Sequence, residues 1–348
     1  MAFKSLLYLP CRKSWGAFMP RVNLTKRPIW KYAPTSQENM LTPELNCSFL
    51  GMNLTNPLVL ASGILGTSPS LMERMALSGA AAITSKSCGP EARAGHPNPV
   101  TVAWDCGVLN AIGLTNPGAR AEVPLLRETK QRLAALGVPL FASIFAPRLE
   151  DYGEVARIIA EAEPDLIEVN ISCPNVASEF GTPFSASAES AAAVTRTVRK
   201  AVNLPISIKL APNVPEISLI AQAVVEEGAD AITAINTMPA MLIDATAAKP
   251  VLSNRTGGLS GPALKPIALR CVYEIAQAVS VPIIGTGGLS SGIDAAEMLM
   301  AGATLVGIGS VVINDGPSVF SRICTELATF MKDNGYAQLG DVRGKALT

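Results

Sequence analysis

Eight short apolar runs, rich in Val and Ile, alternate with longer amphipathic stretches along most of this chain. The runs cover residues 57–62, 81–87, 140–146, 166–172, 205–211, 231–237, 282–288 and 305–311. The amphipathic stretches, typical of helices, cover residues 68–78, 119–136, 149–162, 187–201, 215–227, 265–279, 291–301 and 317–334. Strands that alternate with helices predict an α/β protein, and eight such units predict a closed (β/α)8 TIM barrel. An open, doubly wound sheet with fewer strands is the alternative.

Two connections between these elements are unusually long. Residues 88–118 follow the second strand, and residues 238–264 follow the sixth. Insertions of this length in a compact domain usually have a functional role. Both leave the carboxyl end of a strand, which is the face where barrels place their active sites. We therefore expect the functional site near these two insertions.

The composition excludes several classes of protein. Hydrophobic residues make up 49% of the chain and charged residues 16%, which rules out a largely disordered protein. The formal net charge is zero, so we expect no nucleic-acid partner. Seven cysteines without a CxxC pair indicate a reduced, cytoplasmic chain. The single histidine, His96, excludes a multi-histidine metal centre, and we expect no bound metal in this chain.

Residues 1–44 differ from the rest and are interpreted as a separate basic extension that precedes a barrel domain at 45–348. Its first 40 residues carry one acidic side chain, Glu38, against seven basic ones: Lys4, Arg12, Lys13, Arg21, Lys26, Arg27 and Lys31. The favoured interpretation is a flexible extension. The alternative is a basic, aromatic segment that contacts a membrane surface or a partner protein.

Polar side chains are predicted to point into the barrel lumen. Side chains of a barrel strand alternate between the lumen and the surrounding helices. The inward set contains Ser207, Lys209 and Ala211, then Glu168, Asn170 and Ser172, with Lys86 near the end of the second strand. A lysine in the lumen is costly unless it meets an anion or a polar cofactor. Convergence of these groups favours a site for a flat, polar, anionic molecule over a set of unrelated strand-end caps.

Glycines mark the ends of the last two strands. Gly285-Thr286-Gly287-Gly288 ends the seventh strand, and Gly307-Ile308-Gly309-Ser310 lies on the eighth, with helices expected from near Ser291 and Pro317. Loops after these two strands often bind phosphate through backbone N–H groups and a helix N-terminus. A phosphate group beside an inward lysine suits flavin mononucleotide (FMN).

Cys173 lies at the carboxyl end of the fourth strand, directly before Pro174. A free cysteine is more often a small buried apolar residue, which fits Cys271 and Cys324 in their helical stretches. That interpretation fits Cys173 poorly, because barrels place catalytic groups at this end. A thiol can accept a proton near neutral pH when its surroundings favour the thiolate. We therefore expect Cys173 to be the catalytic base.

Five segments carry a specific resemblance: Thr84-Ser85-Lys86-Ser87, Asn110-Ala111-Ile112-Gly113-Leu114, Asn170-Ile171-Ser172-Cys173-Pro174-Asn175, Ile235-Asn236-Thr237, and residues 257–266. Together they resemble the dihydroorotate dehydrogenases of class 1 from about residue 50 to the chain end. The last segment is similar to the catalytic subunit of subclass 1B. The resemblance implies an FMN oxidoreductase that oxidises dihydroorotate to orotate in pyrimidine (UMP) biosynthesis.

The resemblance also implies residue roles. Cys173 would take the proton from C5 of dihydroorotate while C6 gives a hydride to N5 of FMN. The substrate-binding positions would be Lys86, Asn110, Ala111, Ile112, Gly113, Leu114, Asn170, Asn236 and Thr237. The FMN-binding positions would be Ser62, Lys86, Ser87, Ser143, Asn170, Lys209, Ile235, Gly261, Gly287, Gly288, Gly309 and Ser310. Ser143 departs from the Asn that is usual in subclass 1B.

The resemblance implies that electrons pass to NAD through a partner subunit that carries FAD and a [2Fe-2S] cluster. It further implies a homodimer core, and with that partner a heterotetramer. A fumarate-linked enzyme of the subclass 1A type and a related FMN barrel enzyme for free dihydropyrimidines remain alternatives. A binding role without catalysis is a further alternative, against which the set of Cys173, Lys86 and Lys209 argues.

Overall fold

The computed structural model describes residues 7–8, 43–172 and 183–347. Eight parallel strands form a closed barrel: β1 Leu58–Leu60, β2 Ala82–Thr84, β3 Leu140–Ile144, β4 Leu166–Asn170, β5 Ile206–Leu210, β6 Ala231–Ala234, β7 Ile283–Thr286 and β8 Leu305–Ile308. Neighbours in the barrel are neighbours in the chain, and β8 pairs with β1 to close it. The predicted TIM barrel is confirmed, and closure excludes an open doubly wound sheet.

Helices follow each barrel strand and surround the sheet. They are α1 Pro69–Leu77, α2 Ala119–Ala134, α3 Leu149–Ala160, α4 Ala188–Ala201, α5 Ile217–Glu226, α6 Lys265–Ala278, α7 Gly292–Met300 and α8 Val319–Asp333. Three begin at a serine cap: the side chains of Ser68, Ser187 and Ser291 accept hydrogen bonds from a backbone N–H in the first turn. No helix among the described residues is long and apolar enough to span a membrane.

The helix-facing side of the strands forms the main core. Ile206, Ile208 and Leu210 of β5 are buried in it, as the alternation predicted. A second, smaller cluster fills the amino-terminal end of the lumen, where Phe49 packs on Phe141 with ring centroids 5.9 Å apart. Phe49 comes from a hairpin of Cys47–Phe49 and Met52–Leu54 that precedes the barrel. The lumen is therefore closed by apolar side chains at this end.

The two long insertions form one sheet, which sequence patterns did not predict. Its order is Leu7–Tyr8, Thr101–Trp104, Gly107–Asn110, Gly257–Ser260 and Met238–Ala240. The pairing of Gly258 with Asn110 joins the second insertion to the first. The sheet thereby brings Asn110 to the side of residues that follow β6. Apart from residues 7–8 and 43–44, the extension predicted at 1–44 lies outside the described residues, so that domain boundary stays a prediction.

Replacing Leu327 by Ala tests the contribution of helix packing. Leu327 is fully buried in α8, whereas Leu219 of α5 is 51% exposed. We expect Leu327→Ala to lower the free energy of unfolding by about 2–5 kcal/mol, because it removes buried methyl groups and leaves a cavity. Leu219→Ala should change it by less than about 0.5 kcal/mol. Urea unfolding followed by circular dichroism measures both, and equal losses in the two variants would contradict this packing.

Candidate active site

Lys209 is buried in the lumen of the barrel. Its register pairs it with Asn170 of β4 and Thr233 of β6, so all three lie in one layer. The Lys209 Nζ lies 3.5 Å from Oε1 of Glu168, which is also buried. Ser143 donates to the same carboxylate oxygen at 3.0 Å. A buried ion pair persists only where further polar groups compensate its desolvation, so this end of the lumen is a polar site.

A chain of hydroxyl groups connects the first four strands. The Oγ atoms of Ser87 and Ser143 lie 2.9 Å apart, and those of Ser62 and Ser87 lie 3.3 Å apart. Asn170 donates from Nδ2 to the Ser87 Oγ at 3.2 Å. The sequence prediction that these four positions share one site is consistent with this geometry.

Asn170 also connects β4 with the end of β6. Its Oδ1 accepts hydrogen bonds from the backbone N–H and the hydroxyl of Ser172, both at 3.2 Å. Asn236 donates from Nδ2 to the Ser172 Oγ at 2.9 Å, and the Thr237 N–H donates to the Asn236 Oδ1 at 2.8 Å. The Tyr152 hydroxyl donates to the Asn170 carbonyl at 3.1 Å from helix α3. These hydrogen bonds hold the amide groups of Asn170 and Asn236 in defined orientations, in which they can hydrogen-bond to the edge of a planar molecule.

The glycines of β7 and β8 leave room at one side of this polar layer. Gly287 and Gly288 have φ values of +133° and +78°, a region that favours glycine. A Cβ built on Gly309 would meet only the Ala61 Cβ, at 3.7 Å, so the space above Gly309 is open. A short helix, Val311–Asp315, begins directly after Ser310 and precedes α8, the helix predicted from near Pro317. This arrangement is typical of barrel loops that receive phosphate.

Two other predicted positions on this side support the loops. The Ile235 N–H donates to the Thr286 carbonyl at 2.9 Å, which ties the end of β6 to β7. Gly261 has φ +88°, and a Cβ there would lie 2.7 Å from the Gly107 Cα. Its lack of a side chain lets the two insertions approach closely. Both positions therefore shape the rim of the site.

The first insertion carries the predicted substrate segment, residues 110–114. Asn110 donates from Nδ2 to the Gly258 carbonyl at 3.3 Å. The backbone N–H of Lys86 donates to the Gly66 carbonyl at 2.8 Å, which anchors the end of β2. Lys86 itself is half-buried.

Glu122 is a buried carboxyl group in the first turn of α2 that the sequence patterns did not single out. Burial raises its pKa to about 7, and the positive charge of Lys86 opposes that rise only in part. The resemblance likewise assigned no role to Glu168, Ser172 or Tyr152. Strand alternation had aimed Glu168 and Ser172 inward, but no sequence signal marks Tyr152 or Glu122.

Three of the described cysteines, Cys88, Cys271 and Cys324, behave as small apolar residues. Burial raises the thiol pKa to about 12 for Cys88 and to about 11 for Cys271 and Cys324. Cys106 is exposed between the hairpin strands of the first insertion. Cys173, the predicted base, lies outside the described residues, and so does the rest of the segment 173–182. Its role therefore stays a prediction. Within the described ranges, no cluster of three or more His, Cys, Asp or Glu could hold a metal ion.

Replacing Glu122 by Gln tests the protonation of this buried carboxyl. Its folded pKa of about 7 exceeds the ordinary value of 4.5, so the stability it contributes is present below about pH 4.5 and lost as pH rises through 7. Relative to wild type, Glu122→Gln should therefore gain about 3 kcal/mol of unfolding free energy between pH 4.5 and pH 8. Urea titrations at both pH values measure this difference. Glu226→Gln, at an exposed position of α5, is the control, and a pH-independent difference for Glu122→Gln would contradict the assignment.

Known proteins of one family are similar to this chain over most of its length. The profile of the family described as dihydroorotate dehydrogenase matches residues 44–331. Three relatives carry the name "Dihydroorotate dehydrogenase B (NAD(+)), catalytic subunit". The protein of Methanosarcina mazei is 43% identical over 297 residues, which cover 85% of this chain and 93% of the relative. That of Methanothermobacter thermautotrophicus is 41% identical, covering 87% and 98%. That of Geobacter sulfurreducens is 40% identical, covering 88% and 99%. The chain therefore belongs to the dihydroorotate dehydrogenase family.

Proposed function

We propose that this protein oxidises dihydroorotate to orotate, a step of pyrimidine (UMP) biosynthesis, with FMN bound at the carboxyl ends of the barrel strands. The observation that carries this proposal is the buried Lys209 among amide and hydroxyl groups of four strands, in a chain of this family. Such a lysine suits a planar ring that becomes negatively charged during the reaction.

FMN fits the residues that are present. The open space above Gly309 and the bends at Gly287 and Gly288 offer a cradle for the phosphate. The flavin ring would lie over the polar layer, against Lys209 and Asn170. Ser62, Lys86, Ser87, Ser143, Ile235, Gly261 and Ser310 complete the proposed FMN-binding set. When bound, FMN supplies the acceptor for the hydride that leaves C6 of the substrate.

The residues of this chain bind the substrate and move its proton. Lys86 and the segment from Ala111 to Leu114 would receive the carboxylate, while Asn110, Asn170, Asn236 and Thr237 would hold the edges of the pyrimidine ring. Cys173 would take the proton from C5 as a thiolate. Lys209 would favour negative charge on the ring beside it. The polar network between Asn170, Ser172 and Asn236 supports these orientations.

The electron acceptor is proposed from the names of the relatives. Because they are called catalytic subunits of an NAD(+) enzyme, we propose that electrons pass to NAD through a partner subunit. FAD and a [2Fe-2S] cluster would lie in that partner. A homodimer of this chain would form the core of a heterotetramer. We also propose that the barrel domain spans 45–348 and that residues 1–44 form a flexible extension.

The first prediction of this proposal concerns the colour of the protein. Purified protein should be yellow from FMN, and dihydroorotate should bleach that colour without oxygen because C6 delivers a hydride to the flavin. Dihydrouracil should not bleach it, since it lacks the carboxylate that Lys86 would bind. Anaerobic absorbance spectroscopy measures both reactions. Bleaching by dihydrouracil alone would favour the enzyme for free dihydropyrimidines, and no bound flavin would favour a role without catalysis.

The second prediction concerns the base. At pH 7, Cys173→Ser should slow flavin reduction by about 10²-fold or more, because a hydroxyl loses its proton far less readily than a thiol. The rate of this variant should rise with pH. Cys106→Ser, which alters an exposed thiol of the hairpin, should react like wild type. Stopped-flow absorbance measures the rates. If Cys173→Ser reacts as fast as wild type, another group is the base.

A further inference from the structure

Four consecutive carbonyl groups of the first insertion are each held by a hydrogen bond. His96 Nδ1 lies 3.1 Å from the Ala111 oxygen, and because that oxygen only accepts, the ring nitrogen donates. The His96 N–H donates to the Ile112 oxygen at 3.1 Å. Arg93 donates from Nε to the Gly113 oxygen at 3.3 Å. Asn116 donates from Nδ2 to the Leu114 oxygen at 2.7 Å. All four carbonyls therefore have fixed directions.

Fixed carbonyls also fix the N–H groups that follow them. In a trans peptide, the C=O of one residue and the N–H of the next point in opposite directions. The N–H groups of Ile112, Gly113 and Leu114 must then point away from Arg93 and His96. Within the described ranges, none of these three N–H groups has an acceptor. Gly113 and Leu114 are buried, and buried N–H groups are normally hydrogen-bonded, so these donors are suited to bind a ligand.

The backbone here has the shape of an anion-binding concavity. Gly113 and Leu114 have φ values of +80° and +56°. A non-glycine residue such as Leu114 with positive φ is uncommon, and such residues concentrate at ligand sites. Successive backbone N–H groups in turn conformations form concavities that bind anions. The convergence depends on the carbonyls being held on the opposite side.

The segment 93–96 is closely fitted against this concavity. Arg93 pairs with Asn116 through two backbone hydrogen bonds of 2.9 and 3.2 Å. A Cβ on Gly113 would lie 2.7 Å from the His96 N and 2.8 Å from its Cγ, so the ring packs directly on the Gly113 backbone. The Arg93 guanidinium is a charged donor, and donation to the Gly113 oxygen polarises that peptide, which strengthens the next N–H as a donor.

We infer that His96 and Arg93 are positioning residues that set the N–H groups of residues 112–114 to receive the carboxylate of the substrate. This inference rests on the proposed function, since it names residues that prepare the same site. Neither side chain acts on the reacting atoms. Their role is to hold the carbonyl side of the concavity so that its N–H side matches a planar carboxylate.

The variants His96→Leu and His96→Asn separate positioning from packing. Leucine fills similar space without a donor. Asparagine carries its Nδ2 the same number of bonds from the backbone as the Nδ1 of histidine, so it restores the donor to the Ala111 oxygen. Arg93→Met removes the second donor and keeps an extended stem. Arg120→Met, at an exposed position of α2, is the control for loss of an arginine.

The experiment measures the orotate dissociation constant of the FMN-loaded protein by calorimetry, with steady-state rates for dihydroorotate. His96→Leu and Arg93→Met should each weaken orotate binding by about 10-fold, the effect of one hydrogen bond to a charged group. The KM for dihydroorotate should rise by a similar factor, while kcat stays within about twofold. His96→Asn should bind orotate within about threefold of wild type, and Arg120→Met should be unchanged.

The outcomes separate the inference from the proposed function. If His96→Leu binds orotate as tightly as wild type, the positioning role is wrong while the proposed function stands. If the loss of orotate binding comes with an equal loss of FMN affinity or a lower melting temperature, His96 is structural and the inference is also wrong. If the wild-type protein binds no orotate, the proposed function fails and the inference fails with it.

Discussion

The buried pair of Lys209 and Glu168 depends on the closure of the barrel. A closed sheet of eight strands sends every second side chain into a narrow lumen. Phe49 and Phe141 fill the amino-terminal end with apolar atoms. At the other end, the Glu168 carboxylate forms an ion pair with Lys209, and Ser143 donates a hydrogen bond to that carboxylate. Polar groups inside a barrel are costly, so their presence in several strands at one level marks the site.

The two insertions contribute residues to the site that the barrel strands form. The ends of the barrel strands supply the polar side chains around Lys209. The sheet formed by the two insertions adds further residues at the same end of the barrel. Pairing of Gly258 with Asn110 brings the first insertion beside the end of β6, although these positions are far apart in the chain. The carbonyl groups of residues 111–114 then point outward to Arg93, His96 and Asn116.

Prediction from the sequence was most successful where a single periodic pattern of apolar and polar residues extends over a whole strand or helix. The alternation in β5 identified Lys209 as inward-facing because its apolar neighbours Ile208 and Leu210 had to face the helices. The same rule also aimed Glu168 inward, but it could not pair that carboxylate with Lys209, since pairing depends on the register between two strands. Glu122 carried no signal at all. Its carboxyl matters only because α2 buries it near Lys86, and burial is a property of the folded chain.

The sequence by itself determined the number and type of the barrel elements, the inward sets of β4 and β5, and the family. These follow from local periodicity and short motifs, both of which involve residues that are close together in the chain. Only the tertiary structure decided that the two insertions share a sheet, and that Arg93, His96 and Asn116 hold the carbonyls of 111–114. Those contacts join segments whose meeting depends on the path of the backbone between them. Hydrogen bonds to backbone carbonyls leave little trace in the sequence, because every residue type carries the acceptor.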